Sequence, residues 1–192
     1  MDSEPWLIVG LGNPGPSYAS TRHNVGYMVL DELASRAGTK LGRHKRAHAD
    51  VGQGRLDGQR VTLLRSRSFM NESGGPVKAA VDYGKFDPDH LVVIQDELDI
   101  PFGAVRLKLG GGDGGHNGLK SIRKSLGTGD YYRIRVGVDR PPGQQDTADY
   151  VLKAFSGAQR KELPTVIADA ADAVEALLTL GLAPAQNKFH TQ

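Results

Sequence analysis

The chain has 192 residues, 39% apolar and 24% charged content, and a formal net charge of only +2. It has no cysteine, which excludes disulfides, thiolate nucleophiles and Cys-ligated zinc. No apolar run approaches the ~20 residues of a membrane span, and Met-Asp-Ser-Glu-Pro-Trp at the start lacks the positive region and apolar stretch of a signal peptide. The expectation is a soluble cytoplasmic protein, a single domain over 1–192 that holds its core without disulfide or metal, with 183–192 as a possible flexible tail.

Trp6 to Gly12 (WLIVGLG) reads as a short buried strand. Asn24 to Ala37 places Val25, Met28, Val29 and Leu33 at helical spacing and stops at Gly38. Residues 48–56 and 60–65 read as two strands joined at Asp57-Gly58, a strong hairpin signal. A helix starts near Ser73, carries Pro76 in its first turn and ends by Gly84. Leu91-Val92-Val93-Ile94 is a continuous apolar run, as in a strand buried on both faces. From Ala104 to Leu109, Val105 and Leu107 alternate with Arg106 and Lys108, the pattern of a half-exposed strand. A glycine loop leads into a helix from Asn117 to Leu126, and Tyr131 to Val138 forms another strand. Ser156 and Gln159 make a capping box for a long helix that ends at Gly181. Strands alternating with helices, with at least one hairpin, predict an α/β three-layer fold: a twisted, mixed and mostly parallel sheet covered by helices on both faces.

Charge is unevenly placed. Lys40 to Arg67 holds eight Lys/Arg against Asp50 and Asp57, a local +6, and Arg106 to Arg135 holds seven against Asp113 and Asp130, a local +5. Between them, Asp82 to Asp99 carries six acids against Lys85, a local −5. Two basic segments can form a face for a polyanion such as RNA; a mixed solvated surface is the plainer reading.

Gly10-Leu11-Gly12-Asn13-Pro14-Gly15 matches the dinucleotide-binding pattern G-x-G-x-x-G. In that fingerprint the helix opens at the glycines, so that its amides face a pyrophosphate. Here Pro14 removes a donor and the helical pattern begins only near Asn24. A glycine turn with Asn13 exposed at its tip is the better reading. His44 and His48 are spaced i, i+4 but flank Lys45-Arg46, which favours a basic surface over a metal site. No G-x-S-x-G, S-x-x-K or H-E-x-x-H motif occurs.

What remains is a set of polar residues at loops. His23 lies between the first glycine turn and the first helix, and Asp96 follows the buried strand, where open α/β sheets place ligands and catalytic groups. Asn71 follows Phe69-Met70, and six glycines fall in the nine residues Gly110 to Gly118, around His116 and Asn117. Each alone has a plain structural reading, as a helix cap, a surface residue or a flexible connector. Together they fit one chemistry. A histidine activated by a carboxylate takes a proton from water, and asparagine amides hold a carbonyl and the oxyanion formed from it. That equipment suits metal-free hydrolysis of an activated acyl group such as an ester.

Tyr18 to Gly26 (YASTRHNVG), Phe69 to Gly74 (FMNESG), Asp96 to Asp99 (DELD) and Gly114 to Ser121 (GGHNGLKS) closely resemble the motifs of the bacterial peptidyl-tRNA hydrolase family, in order and spacing, over nearly the whole chain. The resemblance implies a single mixed α/β domain, usually monomeric, with no cofactor, no metal, no membrane and no obligate protein partner. It implies hydrolysis of the ester between a peptide and the terminal ribose of tRNA, which releases the tRNA for reuse. By the resemblance, His23 is the catalytic base and Asp96 keeps it basic and oriented. Asn13 matches the position associated with telling N-blocked from free aminoacyl-tRNA, and Asn117 is the candidate oxyanion donor. Tyr18, Phe69, Met70, Asn71, His116 and Asn117 match substrate contacts, and Lys108 and Arg135 a pair that meets the 5′ phosphate of the tRNA. Two residues depart from the family pattern: Asp113 places an acid in the glycine loop, and Glu72 places one directly after the Met70-Asn71 pair. Two other readings compete: a non-catalytic RNA-binding protein using the same basic face, and a nucleotide-dependent oxidoreductase resting on the first glycine loop.

Overall fold

A computed structural model describes residues 4–190. Among these residues, seven strands form one sheet: β1 (Trp6–Gly10), β2 (Gly42–His44), β3 (Ala49–Leu56), β4 (Gln59–Ser66), β5 (Leu91–Glu97), β6 (Val105–Leu109) and β7 (Tyr132–Gly137). Their order across the sheet is β2-β3-β4-β1-β5-β7-β6. β4, β1, β5 and β7 run parallel at the centre, while β3 and β6 are antiparallel to their neighbours near the two edges. The expected mixed sheet is therefore present, with its buried centre built from the most apolar runs: Leu7, Ile8, Val9 and Leu91 to Ile94 are fully buried.

Among the described residues, six α-helices accompany it: α1 (Val25–Arg36), α2 (Gly74–Gly84), α3 (Asn117–Leu126), α4 (Thr147–Val151), α5 (Gly157–Leu180) and α6 (Leu182–His190). Helices α1 and α5 bury Val29, Leu30, Leu33, Val174 and Leu177 against one face of the sheet. Helices α2 and α3 bury Val77, Ala80, Leu119 and Ile122 against the other. At 25 cal/mol/Å² of apolar area, each such fully buried aliphatic side chain contributes about 1.5–3 kcal/mol before conformational entropy is subtracted.

Local signals act as expected in the hairpin and the long helix. Asp57 and Gly58 both have positive φ (47° and 79°), the geometry of a two-residue hairpin turn. Both halves of the Ser156–Gln159 capping box form at the start of α5.

Glycine decides one contact that shapes the site. A Cβ on Gly10 would overlap the Gly26 carbonyl, and a Cβ on Gly26 would overlap the backbone of Leu11 and Ile94. The pair lets the first turn of α1 sit directly on the ends of β1 and β5, carrying the preceding residues with it.

The structure departs from expectation at three elements. Residues 183–192, read as a possible flexible tail, instead contribute α6 as far as His190; 191–192 lie outside the described residues. This helix covers the edge strand β6. The Leu107 N–H donates to His190 Nε2 at 2.8 Å, and Gln186 Nε2 donates to the Leu107 carbonyl at 3.0 Å, taking up groups an edge strand leaves unpaired. Strand β2 and helix α4 carried no periodic signal, being three and five residues long. His44 and His48 do not share a helical face: they flank the turn between β2 and β3, with His48 at φ 53°.

Candidate active site

A cavity of about 400 Å³ opens where β1 and β5 end. Five loops meet there, and His23, Asp96, Asn13, Met70, His116 and Asn117 all line it. A larger cavity of about 500 Å³ lies at the other end of the sheet against Thr62, Tyr83 and Phe86. Its described lining includes no carboxylate, so paired acid–base groups belong to the smaller cleft.

Asp96 is the hub. It leaves β5 4% exposed, and its two oxygens meet two different histidines. His23 Nδ1 lies 2.8 Å from Oδ2, and His116 Nε2 lies 2.8 Å from Oδ1. Backbone groups fix the tautomer of His116. Its Nδ1 accepts from the Gly118 and Leu119 amides as the N-cap of α3, at 3.1 and 3.4 Å, so Nε2 carries the hydrogen given to Asp96. His23 gives its Nδ1–H to the other oxygen, leaving Nε2 as an acceptor.

Electrostatics follow the geometry. Burial would raise the Asp96 pKa, but the His23 and His116 contacts outweigh it and hold the carboxyl far below the usual carboxylate range. Burial would lower the His23 pKa, but Asp96 outweighs it by charge and hydrogen bond, and the imidazole titrates above its ordinary value. Each partner thus favours the charged form of the other. His23, Asp96 and His116 present ligand-type atoms within 4.8 Å of one another. A single ion would need all of them at about 2.0–2.2 Å, whereas the imidazoles address opposite oxygens of one carboxylate at hydrogen-bond length.

The asparagines divide into two kinds. Asn13, expected at an exposed tip, is instead only 7% exposed, because its neighbours hold it inward. Its Oδ1 accepts from the Met70 amide at 2.7 Å, while its N–H and C=O pair with the Asn24 side chain, each at 2.9 Å. Asn71 and Asn117 are exposed along the cleft and make no side-chain hydrogen bond among the described residues. Because His116 caps α3, the Asn117 amide is left available.

The remaining expected residues lie around this centre. Tyr18 and Phe69 pack edge-to-face, 6.1 Å between ring centroids, outside the cavity lining. Lys108 and Arg135 share one sheet face on β6 and β7, paired in register with Arg133 and Arg106 respectively. Arg135 lies 3.7 Å from Glu97, itself a cleft residue, so the basic patch begins at the rim. The glycine loop is ordered by Arg133, whose guanidinium donates to the carbonyls of Gly111, Gly112 and Gly129. Gly110, Gly111, Gly114 and Gly115 all take positive φ there. Asp113 turns its carboxylate onto the Gly115 amide at 2.8 Å.

Three contributors escaped the sequence reading. The resemblance marks the second imidazole on Asp96, His116, as a substrate contact alone. In the sequence Arg133 is legible only as charge. The pairing of Asn24 with Asn13 spans eleven positions and leaves no periodic trace. Position carried one weak signal: His116 directly precedes the helix read from Asn117, where its Nδ1 acts as the capping acceptor.

A family model described as peptidyl-tRNA hydrolase matches residues 7–192. The peptidyl-tRNA hydrolase of Frankia alni is 59% identical over 98% of this chain and 95% of its own length. That of an Arthrobacter species is 56% identical over 98% of both chains. Among solved structures, peptidyl-tRNA hydrolase from Acinetobacter baumannii superposes with a TM-score of 0.90 at 34% identity, covering 98% of this chain and 96% of that one. This chain belongs to the peptidyl-tRNA hydrolase family and is an ester hydrolase acting on peptidyl-tRNA.

Proposed function

We propose that His23 is the general base of this hydrolysis and that Asp96 orients it and stabilises its protonated form. The observation that carries this reading is the 2.8 Å contact of His23 Nδ1 with a buried Asp96, inside the cleft. Nε2 takes a proton from water as the oxygen attacks the ester carbonyl. The Asn117 amide, with Asn71 beside it, donates to the developing oxyanion. The tetrahedral intermediate collapses, the acyl–oxygen bond to the ribose breaks, and the proton returns from His23 to the leaving hydroxyl.

Asn13 meets the N-acyl group of the substrate, and Met70 and His116 bound the acyl position. Tyr18 and Phe69 contact the substrate beyond the cavity. Lys108 and Arg135 meet the 5′ phosphate of the tRNA. The enzyme works as a monomeric single domain in the cytoplasm, where peptidyl-tRNA is released from translation, and requires no metal, cofactor or protein partner. An RNA-binding role without catalysis has no use for the His23–Asp96 pair.

His23→Ala is expected to lower turnover of N-acetylaminoacyl-tRNA by about two to four orders of magnitude, the range for a lost general base, with tRNA binding retained. A folded variant hydrolysing at the parent rate would remove His23 from this role.

A further inference from the structure

We infer that Asn24 is a specificity-positioning residue, which acts from behind the cleft by fixing the Asn13 amide with its donor side toward the substrate. The inference rests on the reading that Asn13 meets the N-acyl group.

An asparagine amide offers a donor on one side and an acceptor on the other, and a substrate distinguishes the two orientations. In Asn13 the acceptor is engaged, since Oδ1 receives the Met70 amide at 2.7 Å. Nδ2 is therefore the group left for the cleft, and it only donates. The carbonyl of an N-acylated aminoacyl group accepts from such a donor. The ammonium of a free aminoacyl group has only donors to offer, and in a buried cleft it would face Nδ2 without a partner.

That orientation depends on where the Asn13 backbone sits. The last sheet-type bond of this segment is from the Leu11 amide to the Ile94 carbonyl. Beyond it come Gly12, Asn13, Pro14 and Gly15: Pro14 fixes its own φ and keeps Asn13 extended, but the glycines on either side leave open the direction in which the loop carries that extended residue. Among the described residues, the only hydrogen bonds that tie Asn13 to the rest of the fold are the one from Met70 and the two with Asn24. Asn24 donates from Nδ2 to the Asn13 carbonyl and accepts the Asn13 N–H at Oδ1, both at 2.9 Å. It holds the loop residue as a neighbouring strand would. Asn24 is 1% exposed and does not line the catalytic cleft. It borders a separate cavity of about 440 Å³ on the far side of Asn13, into which the loop could retreat if released. Asn24 also closes the same 3-10 turn that presents His23, so the base and the selectivity contact share one support.

The test compares initial hydrolysis rates of N-acetylaminoacyl-tRNA and free aminoacyl-tRNA by the parent, Asn24→Leu, Asn24→Asp, Asn13→Ala and the Asn13→Ala/Asn24→Leu double variant, with folding monitored by circular dichroism. Asn24→Leu removes both bonds at similar size and is expected to reduce the ratio of the two rates by about tenfold, the worth of one well-placed hydrogen bond. The loss should fall mainly on the N-acetyl substrate, with the midpoint of the pH–rate profile unchanged. Asn24→Asp, when protonated, can still make both bonds, but once ionised it sets a carboxylate oxygen against the Asn13 carbonyl, so its ratio should fall as pH rises, at least to the value of Asn24→Leu. In the Asn13→Ala background, Asn24→Leu should change the ratio no further, because the two act as one unit.

Equal losses on both substrates, with the parent ratio retained, would overturn the proposal and leave Asn24 a structural residue only. Additive effects in the double variant would overturn it as well. If Asn24→Leu does not fold, Asn24→Asp decides alone: a ratio that stays parent-like at every pH rejects the proposal. A parent enzyme that hydrolyses both substrates equally would refute the role of Asn13, whereas one that hydrolyses neither would refute the function itself.

Discussion

The floor of the cleft and its basic edge are built on opposite principles. At the floor, Asp96, His116 and Asn13, with Asn24 behind them, are largely buried, and their backbone or side-chain groups are tied by hydrogen bonds within the fold. At the edge, Lys108 is exposed and the adjacent loop is mostly glycine, held at its base by Arg133. The contrast fits the roles proposed for the two regions. Bond breaking needs donors and acceptors fixed before the substrate arrives, and a low-dielectric surround makes each of them stronger. Holding a polyanion needs charge within a Debye length of the phosphates and tolerates side-chain freedom.

Breaking the floor should have the largest effect. Asp96→Asn keeps the size of the side chain but removes the charge that raises the His23 pKa and permits the wrong tautomer. Turnover should drop by about two to four orders of magnitude. If His23 is the general base, as proposed, the parent needs it neutral, and the acid limb of the rate should lie above an ordinary histidine's ~6.5. In Asp96→Asn only burial remains to act on His23, and the limb should move to lower pH. A pH–rate profile unchanged in position would dissolve the pairing. The same pair contributes to stability with a definite sign. The contribution of protonated His23 is present below its unfolded pKa and is lost as pH rises through the raised folded value. That of ionised Asp96 is present above the unfolded value and is lost as pH falls through the depressed one.

Loosening the junction between floor and edge should cost less. Arg133 is 3% exposed, and its guanidinium carbon lies 4.7 Å above the Tyr131 ring. Arg133→Met leaves three carbonyls without this donor and frees the glycine loop. KM for peptidyl-tRNA should rise by roughly three- to tenfold, with kcat changed less. Arg133→Lys should restore only part of it, since an ammonium lacks the planar fork. Steady-state kinetics separate the two parameters, and an equal fall in kcat would place Arg133 with the floor.

Removing one edge cation should have the smallest effect. Lys108→Ala should leave kcat at low salt near the parent value and reduce the log–log salt slope of tRNA binding by roughly one. An unchanged slope would take Lys108 off the phosphate.

The candidate site was legible in the sequence where chemistry is tied to a chain landmark. Asp96 follows a run of apolar residues that had to be a central strand, and His23 precedes the first amphipathic helix. Less was legible where a role depends on distant pairings. His116 looks like a loop residue until the fold brings it 2.8 Å from Asp96, twenty positions away. Arg133 reads as surface charge until its strand register turns it under the glycine loop.

Hydrophobic periodicity, glycine stops, the Asp57-Gly58 turn and the Ser156–Gln159 cap determine most of the elements locally, because each acts over a few residues. Strand order, the helix α6 that closes the β6 edge, and the partners of Asp96 and Asn13 were decided only by the tertiary structure. Those depend on which buried polar groups lack water and must find one another across the chain, and that matching is set by the packed whole rather than by any local run of residues.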